Sequence, residues 1–516
     1  MTRNLGELLI AAATRRPDHI GIVDRGERFA WSALLQEASV TARALVDAGL
    51  GRGERVAIYA DHGLGQIISL FGVALADGAF TIVNPLLRAD QVIHQISDAS
   101  TRFVIGQPAL LGTVDGFLRR SQLKVMTIDA AGRIQGERTS TYGPAPTRGI
   151  PADVACLIYT SGSTGKSKGV VVPHRTLLDG ARIVSGYLGI GPDDITLSLP
   201  PYNFDYGFNQ LLTATHHAAR LVVHRFVLPK DLLDTLAAER VTGFAAVPTL
   251  WPKLLDPRFV DPSSRPALPS LRYVTTAGGV HGQSMLRRLT EFLPGVSIYI
   301  MYGLTESFRS TYLPPSELLK RPGSIGKAVP EVEIMVVDGD GKPCPPGVAG
   351  ELIHRGAFIN YGYLNNEDLT RAKYIELPTG GPGCRPEIAV RSGDLVSRDE
   401  DGFLYFHGRI DQQIKSMGYR VSPGEIEEAA SSFTGIAHVA AFSVPDETVG
   451  EAIILVCTTY PGAKAEADAL RRHLQEHLPP YAVPRRIVFL DKLPQTVTGK
   501  VDYPLLRRQH LQPEPK

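Results

Sequence analysis

Helix-like stretches alternate with short apolar runs through most of this chain, and this alternation is the pattern that most constrains its fold. Helix-like stretches such as 41–48 and 65–76 alternate with mostly β-branched apolar runs such as 56–59, 103–105 and 221–223. Regular alternation of strands and helices favours parallel sheets, because a parallel crossover needs a connection about as long as a helix. The sequence therefore predicts an α/β fold built from parallel sheets.

The pattern changes twice toward the C-terminus. From about Val332, short strand-like segments are joined by turn residues, which predicts a small antiparallel β unit. After Asp411 a second compact α+β pattern begins, with helices predicted at 425–430 and 465–477 and strands at 439–442, 453–457 and 487–489. A chain of 516 residues is also too long for one core. We therefore predict an N-terminal domain over residues 1–410 and a smaller C-terminal domain over 411–516.

Composition argues against several classes of partner. The chain has 54 Lys and Arg against 53 Asp and Glu, so no net charge draws it to nucleic acid or an anionic membrane. Its four cysteines form no C-x-x-C pair, which indicates reduced thiols. No apolar run approaches the roughly 20 residues of a membrane span, and the short run at 8–13 predicts an amphipathic helix. We expect a cytoplasmic protein without a nucleic-acid or membrane partner.

A glycine- and hydroxyl-rich loop follows the apolar run at 154–158. Residues 159–169 read Tyr-Thr-Ser-Gly-Ser-Thr-Gly-Lys-Ser-Lys-Gly. Glycines let backbone N–H groups turn inward, hydroxyls add donors and lysines add positive charge, so the loop suits a phosphate. A Walker motif would need glycine at the position of Thr160. The loop therefore predicts a nucleotide without naming the reaction.

Four more motifs follow at long separations. They are Tyr302-Gly303-Leu304-Thr305-Glu306, Arg391-Ser392-Gly393-Asp394, Gly408-Arg409-Ile410-Asp411 with Gly418-Tyr419-Arg420, and Pro494-Gln495-Thr496-Val497-Thr498-Gly499-Lys500. Together with the loop, and in this order, they resemble the AMP-forming adenylating superfamily of acyl-CoA synthetases, peptide-synthetase adenylation domains and luciferases. The resemblance extends over essentially the whole chain.

The resemblance implies a reaction in which a carboxylate attacks the α-phosphorus of ATP and expels pyrophosphate. Negative charge gathers at the reacting atoms, so aimed cations and Mg²⁺ stabilise the transition state. By this resemblance, Lys500 would bridge the substrate carboxylate and the α-phosphate, Thr305 would bond the α-phosphate, and Glu306 would hold Mg²⁺. The loop would hold the departing pyrophosphate through Thr160, Ser161, Gly162, Ser163, Thr164, Gly165 and Lys166.

The same resemblance implies residues for the nucleoside and for domain movement. Asp394 suits the two ribose hydroxyls, and Arg409 adds a donor. Tyr302, within the motif that includes Gly303, would offer a ring face to adenine. The base would be framed by Ala277, Gly278, Gly279, Val280 and His281. Asp411 takes the place of the interdomain hinge, and Gly418 would line the path of a pantetheine thiol.

Substrate specificity is expected in residues 201–210 and around Arg309. Phe204-Asp205 matches the place where amino-acid-activating domains carry an aspartate for the substrate ammonium group. A buried carboxylate needs a cation, and here that cation is either a substrate amine or Arg309. We therefore take Phe204, Asp205, Ala277 and Arg309 as candidate substrate residues.

The expected activity is that of an ATP-dependent, AMP-forming ligase for an amino acid or another small polar acid. It would load the acid onto a carrier-protein phosphopantetheine, in trans because no carrier attachment motif follows Lys500. An acyl- or aryl-CoA ligase is the alternative. A non-catalytic nucleotide-binding regulator is a third hypothesis, and the presence of Lys500, Glu306 and Thr305 argues against it.

Overall fold

Three β-sheets and the helices packed on them make up the described part of the chain. The computed structural model describes residues 2–129, 131–135, 147–160, 167–261, 265–278, 283–377, 386–410, 414–416, 419–446, 450–463, 465–478, 480–496 and 499–510.

The strands, in chain order, are β1 Ile20–Asp24, β2 Glu27–Ala30, β3 Arg55–Tyr59, β4 Ala79–Ile82, β5 Phe103–Gly106, β6 Lys124–Thr127, β7 Val154–Thr160, β8 Lys168–Pro173, β9 Ile195–Ser198, β10 Arg220–Val223, β11 Gly243–Ala246, β12 Tyr273–Ala277, β13 Ser297–Tyr302, β14 Thr311–Leu313, β15 Ser324–Ala328, β16 Val332–Val337, β17 Gly350–Gly356, β18 Tyr374–Leu377, β19 Glu387–Arg398, β20 Leu404–Arg409, β21 Ile414–Ser416, β22 Tyr419–Val421, β23 Ile436–Asp446, β24 Gly450–Thr459 and β25 Arg486–Phe489.

The α-helices are α1 Leu5–Arg15, α2 Trp31–Asp47, α3 Leu64–Leu75, α4 Ala89–Asp98, α5 Pro108–Gly112, α6 Asp115–Arg120, α7 His174–Leu188, α8 Asp205–His217, α9 Pro229–Ala238, α10 Trp251–Leu254, α11 Gln283–Phe292, α12 Glu367–Lys373, α13 Pro423–Ser431, α14 Ala467–His477 and α15 Tyr503–His510.

The first helix shows how local sequence sets an element. Asn4 caps α1 by accepting a hydrogen bond from the Glu7 backbone N–H at 2.9 Å. One face of α1, which includes Leu5, Leu8 and Leu9, is buried, while the opposite face is partly exposed to solvent. The amphipathic helix predicted near the N-terminus is therefore confirmed. Among the described residues, no helix combines the length and apolar character needed to cross a membrane.

The smaller of the two N-terminal sheets has six strands in the order β6-β5-β3-β4-β7-β8. All its neighbouring pairs are parallel except β7 and β8, which form an antiparallel pair. Helix α3 packs against this sheet and against α1 and α2. Because α3 is surrounded, it is buried on nearly all sides, and its residues are apolar except for the buried Gln66 and Ser69.

The largest sheet combines parallel and antiparallel pairing. Strands β1, β10, β9, β11, β12 and β13 are parallel neighbours, and the sheet then continues through antiparallel β14, β15, β20, β19, β17 and β16. The antiparallel unit predicted from Val332 onward is present. It is joined by hydrogen bonds to the parallel strands through β14 and β15, so it extends the same sheet.

A third sheet carries the C-terminal part of the chain. Its strands run in the order β22-β21-β24-β23, with β25 parallel to β24. Ile426 of α13 and Leu470 of α14 pack on this sheet in a core of their own. The predicted fold class, a large α/β part followed by a smaller α+β part, is confirmed. The exact boundary stays a prediction, since residues 411–413 lie outside the described residues.

Candidate active site

The carboxyl ends of parallel strands bring three distant parts of the sequence to one edge of the large sheet. Ala277 ends β12 and Tyr302 ends β13, while Phe204 and Asp205 lie after β9 at the start of α8. Phe204 and Ala277 belong to one apolar cluster. Ligands of α/β proteins bind at this edge because the connecting loops and helix N-termini meet there. Tertiary structure therefore assembles the predicted acyl and adenine residues as neighbours.

Lys500 approaches this edge from the C-terminal part. Its backbone closes a tight turn, in which Thr496 N–H donates to Lys500 O at 2.7 Å and Lys500 N–H donates to Thr496 Oγ1 at 3.3 Å. The exposed Lys500 Nζ lies 5.5 Å from the centre of the Phe204 ring. A Cβ atom built on Gly278 would lie 3.6 Å from Lys500 Cε. The lysine predicted as catalytic thus sits beside the predicted acyl site.

Asp394, the predicted ribose ligand, is buried and doubly hydrogen-bonded. Tyr302 Oη donates to Asp394 Oδ2 at 2.5 Å, and Arg409 Nη1 donates to Asp394 Oδ1 at 2.9 Å. Burial raises the pKa of Asp394, and the positive charge of Arg409 opposes that rise. Since a carboxylate offers about four acceptor sites, two remain for a pair of hydroxyl groups. The donor chemistry therefore fits a ribose diol.

Tyr302 differs from its expected role in one respect. The sequence predicted a ring face for adenine, whereas the structure also uses the hydroxyl group to orient Asp394. Burial and the adjacent Asp394 charge raise the pKa of Tyr302 well above its ordinary value. Tyr302 therefore remains a proton donor to Asp394.

A second group of residues holds the Arg391–Asp394 segment in place, and sequence reasoning missed two of them. Glu351 accepts hydrogen bonds from Arg391 Nε at 2.9 Å and from Gly393 N–H at 3.0 Å. Lys373 Nζ donates to Ser392 O at 2.7 Å. Glu351 and Lys373 carry no motif of their own, so only the fold reveals their part in the site.

Glu306, the predicted metal ligand, is fixed by a segment that lies more than fifty residues later. Tyr363 Oη donates to Glu306 Oε1, and the Glu306 carbonyl accepts from Asn360 N–H at 3.2 Å and from Tyr374 Oη at 3.3 Å. Asn360 Nδ2 also donates to Thr305 O at 2.7 Å. The carboxylate keeps further lone pairs, and hard oxygen donors of this kind suit Mg²⁺. Tyr363, Asn360 and Tyr374 are further positions that the motifs did not indicate.

Asp205 is the acidic group among the predicted substrate residues. Its side chain is buried, with 4% of the residue exposed, and Oδ1 accepts from Tyr206 N–H at 2.8 Å. Burial raises the pKa of Asp205, while the charges of Arg309 and Lys500 oppose the rise. Within the described residues, no basic nitrogen lies within 4.0 Å of this carboxylate, and Arg309 does not form the direct ion pair that the sequence left open.

A buried histidine, His354, supports the loop that carries Thr305, Glu306 and Arg309 by contacting Ser310 at its end. His354 contacts Ser310 Oγ through Nδ1 at 3.0 Å and donates from Nε2 to Ala357 O at 2.8 Å. Burial lowers the pKa of His354 to about 4. The ring is therefore neutral at physiological pH and acts as a rigid hydrogen-bonding support.

Several predicted residues lie outside the described residues. They are Ser161, Gly162, Ser163, Thr164, Gly165, Lys166, Gly279, Val280, His281, Asp411 and Gly418. The flanks of the first of these segments are described: Thr160 ends β7 and pairs with Lys168 of β8 in an antiparallel register. A Walker loop leads from a strand into a helix, whereas this loop joins two antiparallel strands. That difference supports the choice against a Walker motif.

The site therefore combines carboxylates suited to a ribose and to a cation with a lysine delivered by another part of the chain. Such a donor set is that of a nucleotide-using enzyme. The family model described as AMP-binding enzyme matches residues 9–364, and the model described as AMP-binding enzyme C-terminal domain matches residues 425–500. The chain belongs to the AMP-binding enzyme family and is an adenylate-forming ligase, which confirms the superfamily predicted from the motifs.

Two curated relatives match along nearly the whole chain. Novobiocin biosynthesis protein H of Streptomyces niveus is 30% identical over 517 residues, which is 96% of this chain and 81% of that protein. Tyrocidine synthase 3 of Brevibacillus parabrevis is 30% identical over 506 residues, which is 97% of this chain. This chain spans 8% of the length of tyrocidine synthase 3.

Two solved structures share the fold. ATP-bound MatB from Rhodopseudomonas palustris matches with a TM-score of 0.88 and 24% identity, covering 99% of each chain. The O-succinylbenzoate coenzyme A synthetase MenE from Bacillus subtilis, in complex with ATP and a magnesium ion, matches with a TM-score of 0.82 and 23% identity, covering 96% of this chain and 98% of that chain.

Proposed function

We propose that this chain uses ATP to adenylate a carboxylic acid that bears an amine, and then transfers the acyl group to a carrier-protein phosphopantetheine thiol. Asp205 carries this proposal. It is a buried carboxylate beside Phe204 and near Lys500, and no basic side chain of the described residues pairs with it directly. An unpaired buried carboxylate is unfavourable, and a substrate ammonium group would stabilise it.

The first half-reaction follows from charge. A substrate carboxylate oxygen would attack the α-phosphorus, the bond from that phosphorus to the bridging oxygen would break, and the electron pair would leave with pyrophosphate. Lys500, beside the acyl site, would neutralise charge between the two anions, and the Thr305 hydroxyl would donate to the α-phosphate. In the second half-reaction the thiol would lose its proton to solvent and its sulfur would attack the acyl carbon, so that AMP leaves.

The nucleotide and metal have matching donors. Asp394 would accept hydrogen bonds from the ribose hydroxyls, and Arg409 would hold its orientation. Glu306, held by Tyr363, would bind Mg²⁺, which when bound neutralises charge on phosphate oxygens. ATP and magnesium are the ligands named for MenE, a protein of the same fold.

The alternative acceptor is coenzyme A, which the name of MenE carries. A coenzyme A ligase would share every step of adenylation and differ only in the thiol. The Asp205 observation concerns the acid and not the acceptor, so the two halves of the proposal need separate assays.

Pyrophosphate-to-ATP isotope exchange with Mg²⁺ tests the first half without assuming an acceptor. Amine-bearing acids and matched acids without an amine form the two substrate panels. We expect exchange with amine-bearing acids and a loss of about 100-fold or more in Asp205→Asn, because one partner of a buried charge pair is removed. Asp231→Asn, an exposed acid in the first turn of α9, is the matched control and should retain activity.

Exchange confined to acids without an amine, and tolerant of Asp205→Asn, would contradict the assignment of Asp205. For the acceptor, the acyl-adenylate is offered to a phosphopantetheinylated carrier protein and to coenzyme A. Faster acylation of coenzyme A would replace the carrier-loading proposal with the coenzyme A ligase.

A further inference from the structure

Arg309 is a buried cation, and one hydrogen-bonding edge of its guanidinium group finds no partner in the described part of the chain. Only 2% of the residue is exposed, and neither Nε nor Nη2 has a hydrogen-bond partner among the described residues. These two nitrogens form one edge of the guanidinium group, the edge that can grip a carboxylate with two parallel bonds. In this chain Arg391 uses the same edge to bind the carboxylate of Glu351. A buried guanidinium without such an anion is unfavourable, so its edge suits a ligand.

The backbone directly before Arg309 is held in an uncommon conformation. Phe308 has φ of 51°, in the left-handed region, and is fully buried. Arg309 N–H donates to Ser307 O at 2.5 Å across this tight turn. A Cβ atom built on Gly303 would lie 2.7 Å from Phe308 O and 3.0 Å from Arg309 Cα, so the turn requires glycine at 303. Strained turns of this kind persist where a side chain must be held for function.

Two neighbouring aromatic rings, Phe204 and Tyr206, contact Lys500 and Arg309 respectively. The Lys500 Nζ is 5.5 Å from the Phe204 ring centre, the Phe204 and Tyr206 ring centres are 6.1 Å apart, and the Arg309 guanidinium carbon is 5.1 Å from the Tyr206 ring centre. Asp205 stands between these two aromatic residues in the chain. The charges of both Arg309 and Lys500 act on the Asp205 carboxylate, so the candidate acyl site combines two cations with one carboxylate.

We propose that the acid substrate carries a second carboxylate, bound by Arg309 Nε and Nη2, and that the substrate is an amino dicarboxylic acid. This inference rests on the proposed function, in which Lys500 faces the carboxylate that is activated and Asp205 faces the ammonium group. Asp205 and Arg309 are together neutral. An ammonium group alone would leave a net positive charge at this buried end, and a second carboxylate on the substrate restores neutrality.

The test is pyrophosphate-to-ATP exchange with three sets of substrates. Aspartate, glutamate and 2-aminoadipate carry both groups, asparagine and glutamine keep the amine but replace the second carboxylate by an amide, and succinate and glutarate lack the amine. We expect the wild-type chain to prefer at least one amino dicarboxylic acid over its amide by about 100-fold or more, because a buried charge pair is lost with the amide. Arg309→Gln should remove that preference mainly through KM, while Arg309→Lys should restore part of it.

Arg182→Gln, at a partly exposed position bonded to Glu331, is the matched control and should keep the wild-type preference. Thermal unfolding of each variant separates loss of substrate recognition from loss of the fold. The three substrate sets also test the second carboxylate on the wild-type chain alone, without any variant. Exchange only with neutral amino acids, unchanged by Arg309→Gln, would overturn the second carboxylate and leave the proposed function standing. Exchange with succinate or glutarate that is lost in Arg309→Gln but kept in Asp205→Asn would support the second carboxylate and overturn the amine.

Discussion

Replacing Lys500 by alanine should abolish most of the adenylation rate while leaving the fold intact. The side chain is exposed and its turn is held by backbone contacts with Thr496, so its removal should change the free energy of unfolding by no more than about 0.5 kcal/mol. Two unit charges about 4 Å apart interact by about 4 kcal/mol at an effective dielectric constant near 20. If that interaction is made in the transition state, its loss lowers the rate by about 1000-fold.

The assay is pyrophosphate-to-ATP exchange at saturating ATP, with thermal unfolding measured on the same samples. Lys492→Ala removes another exposed lysine from the same part of the chain and should behave as wild type. Transfer of a supplied acyl-adenylate to a thiol should fall much less than adenylation in Lys500→Ala, since the α-phosphate is no longer attacked in that step. Equal loss in both half-reactions, or adenylation within about threefold of wild type, would refute the electrostatic role of Lys500.

Two further outcomes follow from side chains that support the site. Tyr363→Phe removes the hydroxyl that donates to Glu306 Oε1. The apparent affinity for Mg²⁺ should fall by about 10- to 100-fold, with little change in the adenylation rate at saturating metal. An unchanged magnesium titration would show that Tyr363 does not orient Glu306. Burial lowers the pKa of His354 to about 4 from the ordinary 6.5, so the unfolded chain takes up this proton first as the pH falls. This group should therefore lower the free energy of unfolding by about 3 kcal/mol as the pH falls from 6.5 to 4. In denaturant titrations, His354→Asn should reduce that dependence of the free energy of unfolding on pH.

Much of the fold could be predicted because the local pattern is strong. The apolar runs at β3, β5 and β10 and the helices α13 and α14 were predicted within a few residues of their observed bounds. Burial of both faces of a parallel strand leaves a short continuous apolar run, and a helix leaves a period near 3.6, so both can be recognised without tertiary information. The family could also be predicted from five motifs and their order along the chain, because both can be read from the sequence without tertiary structure.

The supporting residues could not be predicted in this way. Tyr363 and Glu351 lie far along the chain from the groups that they hold, and neither stands in a recognisable motif. Their roles depend on strand pairing, such as that of β17 with β19, which brings Glu351 beside Arg391. Strand order in a sheet depends on non-local packing, for which a local pattern carries no signal.

The sequence by itself determined the succession of strands and helices, the adenylate-forming family and the chemical types at the reaction centre, because each depends on short segments. Only the tertiary structure decided how the charges pair. It placed the Arg309 guanidinium over the Tyr206 ring rather than in a direct ion pair with Asp205, and it left the bonding edge of that arginine without a partner among the described residues. Charge pairing depends on distances of a few ångströms and on burial, and both arise only when distant segments pack together.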